Sequence, residues 1–138
     1  MTSKIQSSLA LLVSSRAGKR CEYCHAPQKV VGQSFHFDHI RPSSTGGETS
    51  AENLCLACPH CNLVKGIRTQ GVDPKTGKLV QLFNPRTDNW DEHFRWSADY
   101  ERLIGLTAIG RTTIATLQMN DVLLQDARPF WHAAGYIP

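Results

Sequence analysis

A chain of 138 residues, 41% hydrophobic and 20% charged, is long enough for one sizeable core that buries roughly 65–70% of its unfolded surface, and too short for two ordinary domains. Its longest uninterrupted apolar run, residues 9–13, excludes a membrane-spanning helix, which takes about 20 apolar residues. The start shows no charged-then-apolar leader, so a cytoplasmic protein with no membrane partner is expected. The formal charge of +3 is unevenly spread: residues 1–68 carry eight Lys/Arg against four Asp/Glu, or +4, and residues 69–138 seven against eight, or −1. A basic excess of that size suits a polyanionic partner such as nucleic acid and suits a solvated surface about equally.

In chain order, Ile5, Leu9, Leu12 and Val13 recur at helical spacing within residues 4–16, with Gly18 as the stop, and predict a packing helix. Residues 30–40 are rich in β-branched and aromatic side chains and predict a short hairpin turning at Gly32-Gln33-Ser34. Residues 41–50, holding Pro42 and the Gly46-Gly47 pair, read as loop, and Thr49 or Ser50 can cap a turn leading into Asn53-Leu54. A helix starting at Asn62 carries Lys65 one turn on. Further along, Asp73-Pro-Lys-Thr-Gly predicts a turn between extended segments, residues 79–83 and 94–107 are strand candidates, and residues 112–119 and 122–134 read as two amphipathic helices broken near Asn120.

Five cysteines would leave one thiol over in a complete disulfide framework, which favours metal binding. Cys21-Glu-Tyr-Cys24 and Cys58-Pro-His-Cys61 are two Cys-x-x-Cys pairs separated by 33 residues. Each can form a tight knuckle, and four thiolates close the tetrahedral shell of a structural zinc ion. Cys55 makes a competing register with Cys58; it is read as a small buried hydrophobe, because Pro59 turns the chain in a way that Leu56-Ala57 does not. His60 inside one knuckle and His25 just after the other are alternative ligands.

Between and beside the knuckles stand Asp38-His39, Asn53 and Asn62. A hard divalent cation takes oxygen ligands, which the Asp38 carboxylate and the Asn62 amide carbonyl can supply. On a strand, His39 would point away from Asp38, and an imidazole is suited to accept a proton from an attacking water. Asn53 could accept a hydrogen bond from His39 Nδ1 and hold the ring in one tautomer. His36 shares the strand face of Asp38 and reads either as a substrate or metal contact or as a satisfied structural histidine. His93 and His132, among Trp90, Phe94, Trp96 and Trp131, read as packing residues, and Arg41, Lys65 and Arg68 are the candidate phosphate contacts.

These residues, in the order Cys21-x-x-Cys24, Phe37-Asp38-His39-Ile40-x-Pro42, Gly46-Gly47, Asn53-Leu54, Cys58-x-x-Cys61-Asn62 and Lys65-Gly66, resemble the HNH endonucleases. The resemblance implies an α+β protein: a ββα-metal core at residues 20–68, stapled by a four-cysteine zinc site, after an N-terminal helix. Residues 69–138 would be a strand-and-helix extension of the same single domain. It implies hydrolysis of phosphodiester bonds, with His39 activating water, Asn53 orienting it, Asp38 and Asn62 holding a catalytic cation, and double-stranded DNA as partner. Asn62 stands where histidine often does, and an amide oxygen makes Mg²⁺ or Mn²⁺ the expected catalytic ion. The alternatives are RNA cleavage, or a zinc-stapled nucleic-acid-binding or interaction module that no longer cuts.

Overall fold

The computed structural model describes residues 5–137. The first helix, α1 (Ser7–Arg16), starts later than residue 4 and ends before Gly18, whose positive φ of 63° suits glycine. Lys4 lies outside the described residues. Helix α1 is pinned at its C-terminal end, where Arg16 donates to the carbonyls of Ala51 and Leu54 at 2.8 Å each, and Val13 is fully buried beneath it.

The expected local hairpin in residues 30–40 does not form. Val30 and Val31 belong instead to a short helical turn, α2 (Gln28–Val31), ended by Gly32 at φ 74°. Strand β1 is only His36–His39, and its partner is β2 (Leu54–Ala57), antiparallel, with Asp38 opposite Cys55 and His39 opposite Leu54. The strand pair is therefore closed by residues 40–53 rather than by a tight turn. Strand β2 is buried on both faces, against α1 on one side and the core on the other.

Helix α3 (Pro59–Lys65) begins inside the second knuckle, earlier than expected: Cys58 is its N-cap, its sulfur accepting from the Cys61 N–H, and Pro59 occupies the first turn, where no N–H is needed. β1, β2 and α3 make the ββα unit. Three further pieces cover it: the hairpin β3 (Gln70–Val72) with β4 (Leu79–Gln81), turned at residues 73–77 as expected; α4 (Trp90–His93) with the hairpin β5 (Phe94–Trp96) and β6 (Leu103–Gly105); and the helices α5 (Ala108–Thr116) and α6 (Val122–Ala133). Gly71 and Gly110 let these layers close. A Cβ on Gly71 would lie 2.1 Å from Thr116 Oγ1, and one on Gly110 would lie 2.0 Å from the His93 carbonyl oxygen.

The extension is joined to the motif region by specific contacts as well as by apolar packing. Trp90 Nε1 donates to the Tyr23 carbonyl at 2.9 Å, its ring stacks on His25 at 3.8 Å, and Arg86 pairs with Glu22. Phe83, Phe94, Leu103, Leu117, Met119 and Trp131 are buried in one cluster with Tyr23, Leu54 and Leu56. Phe130 is the exception to the expected aromatic packing: it lies on the outer side of α6, 76% exposed, because Trp131 and Arg128 take the inner positions. Among the described residues no helix is long and apolar enough to cross a membrane.

Candidate metal centre and nuclease cleft

The knuckles bring Cys21, Cys24, Cys58 and Cys61 together, all buried, with their sulfurs within 4.8 Å of one another. None is in a disulfide. A tetrahedral Zn²⁺ with Zn–S bonds of about 2.3 Å sets sulfur–sulfur edges near ~3.8 Å, and Cys24 Sγ and Cys58 Sγ are 3.7 Å apart. In each knuckle a backbone N–H points at the first sulfur, Cys24 N to Cys21 Sγ at 3.5 Å and Cys61 N to Cys58 Sγ at 3.4 Å. Hydrogen bonding from Cys21 and Cys24 holds the Cys58 thiol far below its ordinary range, while the same network pushes Cys24 and Cys61 up, so one thiolate is shared among the clustered sulfurs. The donor set fits zinc.

Cys55 is not part of this cluster. Its sulfur lies 3.6 Å from Asp38 Oδ2, across the strand pair. Neither His25 nor His60 takes a thiolate's place. His25 stacks on Trp90, and desolvation lowers it to about 4, so it is neutral at pH 7; His60 Nε2 lies 3.0 Å from the Leu117 carbonyl and 2.8 Å from that of Gln118.

Asp38, His39 and Asn62 line one open cleft of about 310 Å³, together with His36, Phe37, Pro42, Gly66 and Ile67. β1 supplies the first two and α3 the third, so the frame delivers these residues from two segments of chain to one wall. The details depart from the expected ones at two positions. Asn53 does not touch His39. Its Oδ1 accepts from the Arg41 N–H at 2.9 Å, and its Nδ2 donates to the carbonyls of Arg41 at 2.9 Å and Glu48 at 2.8 Å. Asn53 therefore ties both limbs of the 41–48 loop together. Gly47 is needed there, since a Cβ would lie 1.8 Å from the Arg41 carbonyl oxygen. The group that meets the imidazole is Thr49, whose Oγ1 is 2.8 Å from His39 Nε2. Asn53 reaches His39 only through the loop that carries Thr49.

Lys65 is the second departure. Expected as an exposed phosphate contact, it is 2% exposed, with Nζ 3.0 Å from Asp38 Oδ2, 3.2 Å from Oδ1 and 3.3 Å from the His39 carbonyl oxygen. It is the counter-charge of a buried carboxylate. Asp38 also accepts from the Tyr23 hydroxyl at 2.8 Å on Oδ2. Burial raises the Tyr23 phenol well above its usual value, which keeps it the donor in that bond. Arg41 and Arg68 are exposed as expected, Arg41 donating to the Thr45 carbonyl and Arg68 to that of Val64, each at 2.8 Å. His93 bonds Thr107 Oγ1 at 2.6 Å and His132 stacks on Tyr100 at 3.8 Å, both structural roles.

Residues 21–68, a little over a third of the chain, match the model of the HNH endonuclease family. No curated protein and no solved structure matches the chain. The matched segment opens at the first knuckle cysteine and closes just past Lys65, so the part of the chain that is similar to the HNH endonuclease family takes in the whole ββα frame and the four clustered cysteines.

Proposed function

We propose that the protein hydrolyses phosphodiester bonds of DNA at the cleft lined by Asp38, His39 and Asn62. The placement of those three residues along one open wall carries the reading. His39 is the general base. In the tautomer that donates Nε2–H to Thr49 Oγ1, 2.8 Å away, the lone pair of Nδ1 is left to take a proton from a water molecule. Asp38 and Asn62 offer a carboxylate oxygen and an amide oxygen, a hard donor set that fits Mg²⁺ or Mn²⁺. A cation held there would polarise the phosphate and neutralise charge that develops on its oxygens. Asn53 and Gly47 shape the loop, Thr49 orients the base, and Arg41 and Arg68 provide exposed positive charge for the flanking phosphates.

One observation speaks for the non-cutting alternative: Asp38 is only 5% exposed and already holds a lysine. The competing observation is that Asp38 still lines the cleft, and its Oδ1 accepts from Lys65 alone, which leaves one lone pair of that oxygen unused. The extension at residues 69–138 is read as part of the same domain, on the strength of its bonds to Glu22, Tyr23 and His60. Purified protein incubated with supercoiled plasmid should cut it with Mg²⁺ or Mn²⁺ and not with EDTA. His39→Ala should lower the rate by at least ~10²-fold, the size of a lost general base, with folding intact. Cutting by that variant at the wild-type rate would remove His39 from the chemistry, and a parallel RNA substrate separates the two nucleic acids.

A further inference from the structure

The fifth cysteine and the tyrosine inside the first knuckle meet at the same atom, Oδ2 of Asp38. Tyr23 lies between Cys21 and Cys24, is fully buried, and donates its hydroxyl to Oδ2 at 2.8 Å. Cys55, in the β2 position directly opposite Asp38, brings its thiol to 3.6 Å of the same oxygen. Lys65 Nζ is also nearer Oδ2, at 3.0 Å, than Oδ1, at 3.2 Å. Three groups thus converge on one oxygen, while Oδ1 has Lys65 alone.

We propose that Tyr23 and Cys55 are positioning residues, which hold Oδ2 and so fix Oδ1 of Asp38, bonded by Lys65 alone, as a single oriented oxygen ligand for the divalent cation. The inference rests on the reading of Asp38 as a cation ligand. It assigns the spacer of the zinc knuckle a task besides turning the chain: the backbone that closes on zinc is the backbone that carries the Tyr23 hydroxyl, so order at the four sulfurs is passed directly to the carboxylate. Partners that orient a metal-binding carboxylate typically account for 10–100-fold in metal affinity. The bond from Tyr23 is short and has an oxygen donor, whereas a thiol is a weak donor, so Tyr23 should contribute more.

The test is Mn²⁺ binding to the zinc-loaded full chain, followed by electron paramagnetic resonance of the free ion, alongside zinc content and thermal melting. Tyr23→Phe removes only the hydroxyl and should weaken Mn²⁺ binding about 10-fold or more, with one zinc retained and a cooperative melt preserved at a lower temperature. Cys55→Ala should weaken it less, and Cys55→Ser, which keeps a donor, should restore the wild-type affinity. Equal affinities in wild type, Tyr23→Phe and Cys55→Ala overturn the proposal. Loss of zinc from Tyr23→Phe overturns it too, since Tyr23 would then be a structural residue of the knuckle. Asp38→Asn separates the two readings: if it leaves Mn²⁺ binding intact, the cation site itself has been placed wrongly.

Discussion

Replacing Lys65 by methionine keeps the length and apolar stem of the side chain and removes its charge from a carboxylate that is itself buried. Nζ stands 3.0 Å from Asp38 Oδ2, and the two side chains are 2% and 6% exposed. At an effective dielectric of about 20 the direct attraction at that distance is about 5.5 kcal/mol. Desolvation of both ions offsets much of it, but a variant with one partner missing keeps the cost of the other, and such variants lose about 3–5 kcal/mol. For a domain of this size roughly 3 °C accompanies each kcal/mol, so the melting temperature should fall by about 10–15 °C in the absence of Mg²⁺ or Mn²⁺. Asp38→Asn combined with Lys65→Met should recover most of the loss, because a neutral amide no longer needs the ammonium and can still accept from Tyr23. Tryptophan fluorescence during thermal or urea unfolding reads all three proteins. A loss below about 1 kcal/mol in Lys65→Met, the behaviour of an exposed phosphate-binding lysine, would refute the assignment of Lys65 as counter-ion. A double variant no more stable than the single would refute it equally.

Thr49→Val removes the oxygen 2.8 Å from His39 Nε2 and should reduce kcat about 10-fold or more with KM little changed, while Thr49→Ser keeps the rate; a Thr49→Val variant as fast as wild type would mean that the ring is oriented by something else. Cys24→Ser should fail to retain zinc and fail to fold, since structural zinc contributes on the order of 10 kcal/mol, whereas Cys55→Ser should keep one zinc per chain on elemental analysis; the reverse result would put Cys55 in the shell. Asp73 is held well below the usual carboxylate range, first by hydrogen bonds from Arg111 at 2.9 and 3.1 Å and then by the Lys75 N–H and the Thr76 hydroxyl, against desolvation. A carboxyl lowered on folding stabilises fully above its unfolded value near ~3.9 and loses that stabilisation as pH falls through the folded one. The gap in melting temperature between wild type and Asp73→Asn should therefore be constant from pH 7 to about 5 and narrow below about 4; a gap unchanged at pH 3 would disconnect Asp73 from the acid response.

What could be read in advance follows the range of the interactions. The four cysteines were legible because one metal ion constrains their spacing, and Cys55 could be set aside from the turn chemistry of Pro59. Val30 and Val31 invited a strand on propensity, and the αL residue Gly32 two positions on made them the end of a helical turn instead. A two-residue preference for extended backbone is small beside a cap that satisfies the chain locally. Asn53 and Lys65 stand out in the sequence, but their partners do not. Asn53 meets backbone carbonyls that approach only when the loop closes over Gly47, and Lys65 meets a carboxylate 27 residues away. Thr49 carried no chemical signal: a hydroxyl in a polar loop becomes an orienting group only once β1 and β2 have paired.

The bond from Trp90 to the Tyr23 carbonyl and the pairing of Arg86 with Glu22 attach the later half of the chain to both spacer residues of the first knuckle. The motif region is consequently tied to the rest of the chain at its first knuckle. A chimera that grafts residues 21–68 onto another scaffold inherits the sulfurs and the histidine but leaves Glu22 without its guanidinium and Tyr23 without the indole that holds its backbone. A shuffled descendant that kept its geometry would have to reinvent an aromatic and an arginine at the same two places, which makes Arg86 and Trp90, far from any motif, the positions where such a protein would be recognised.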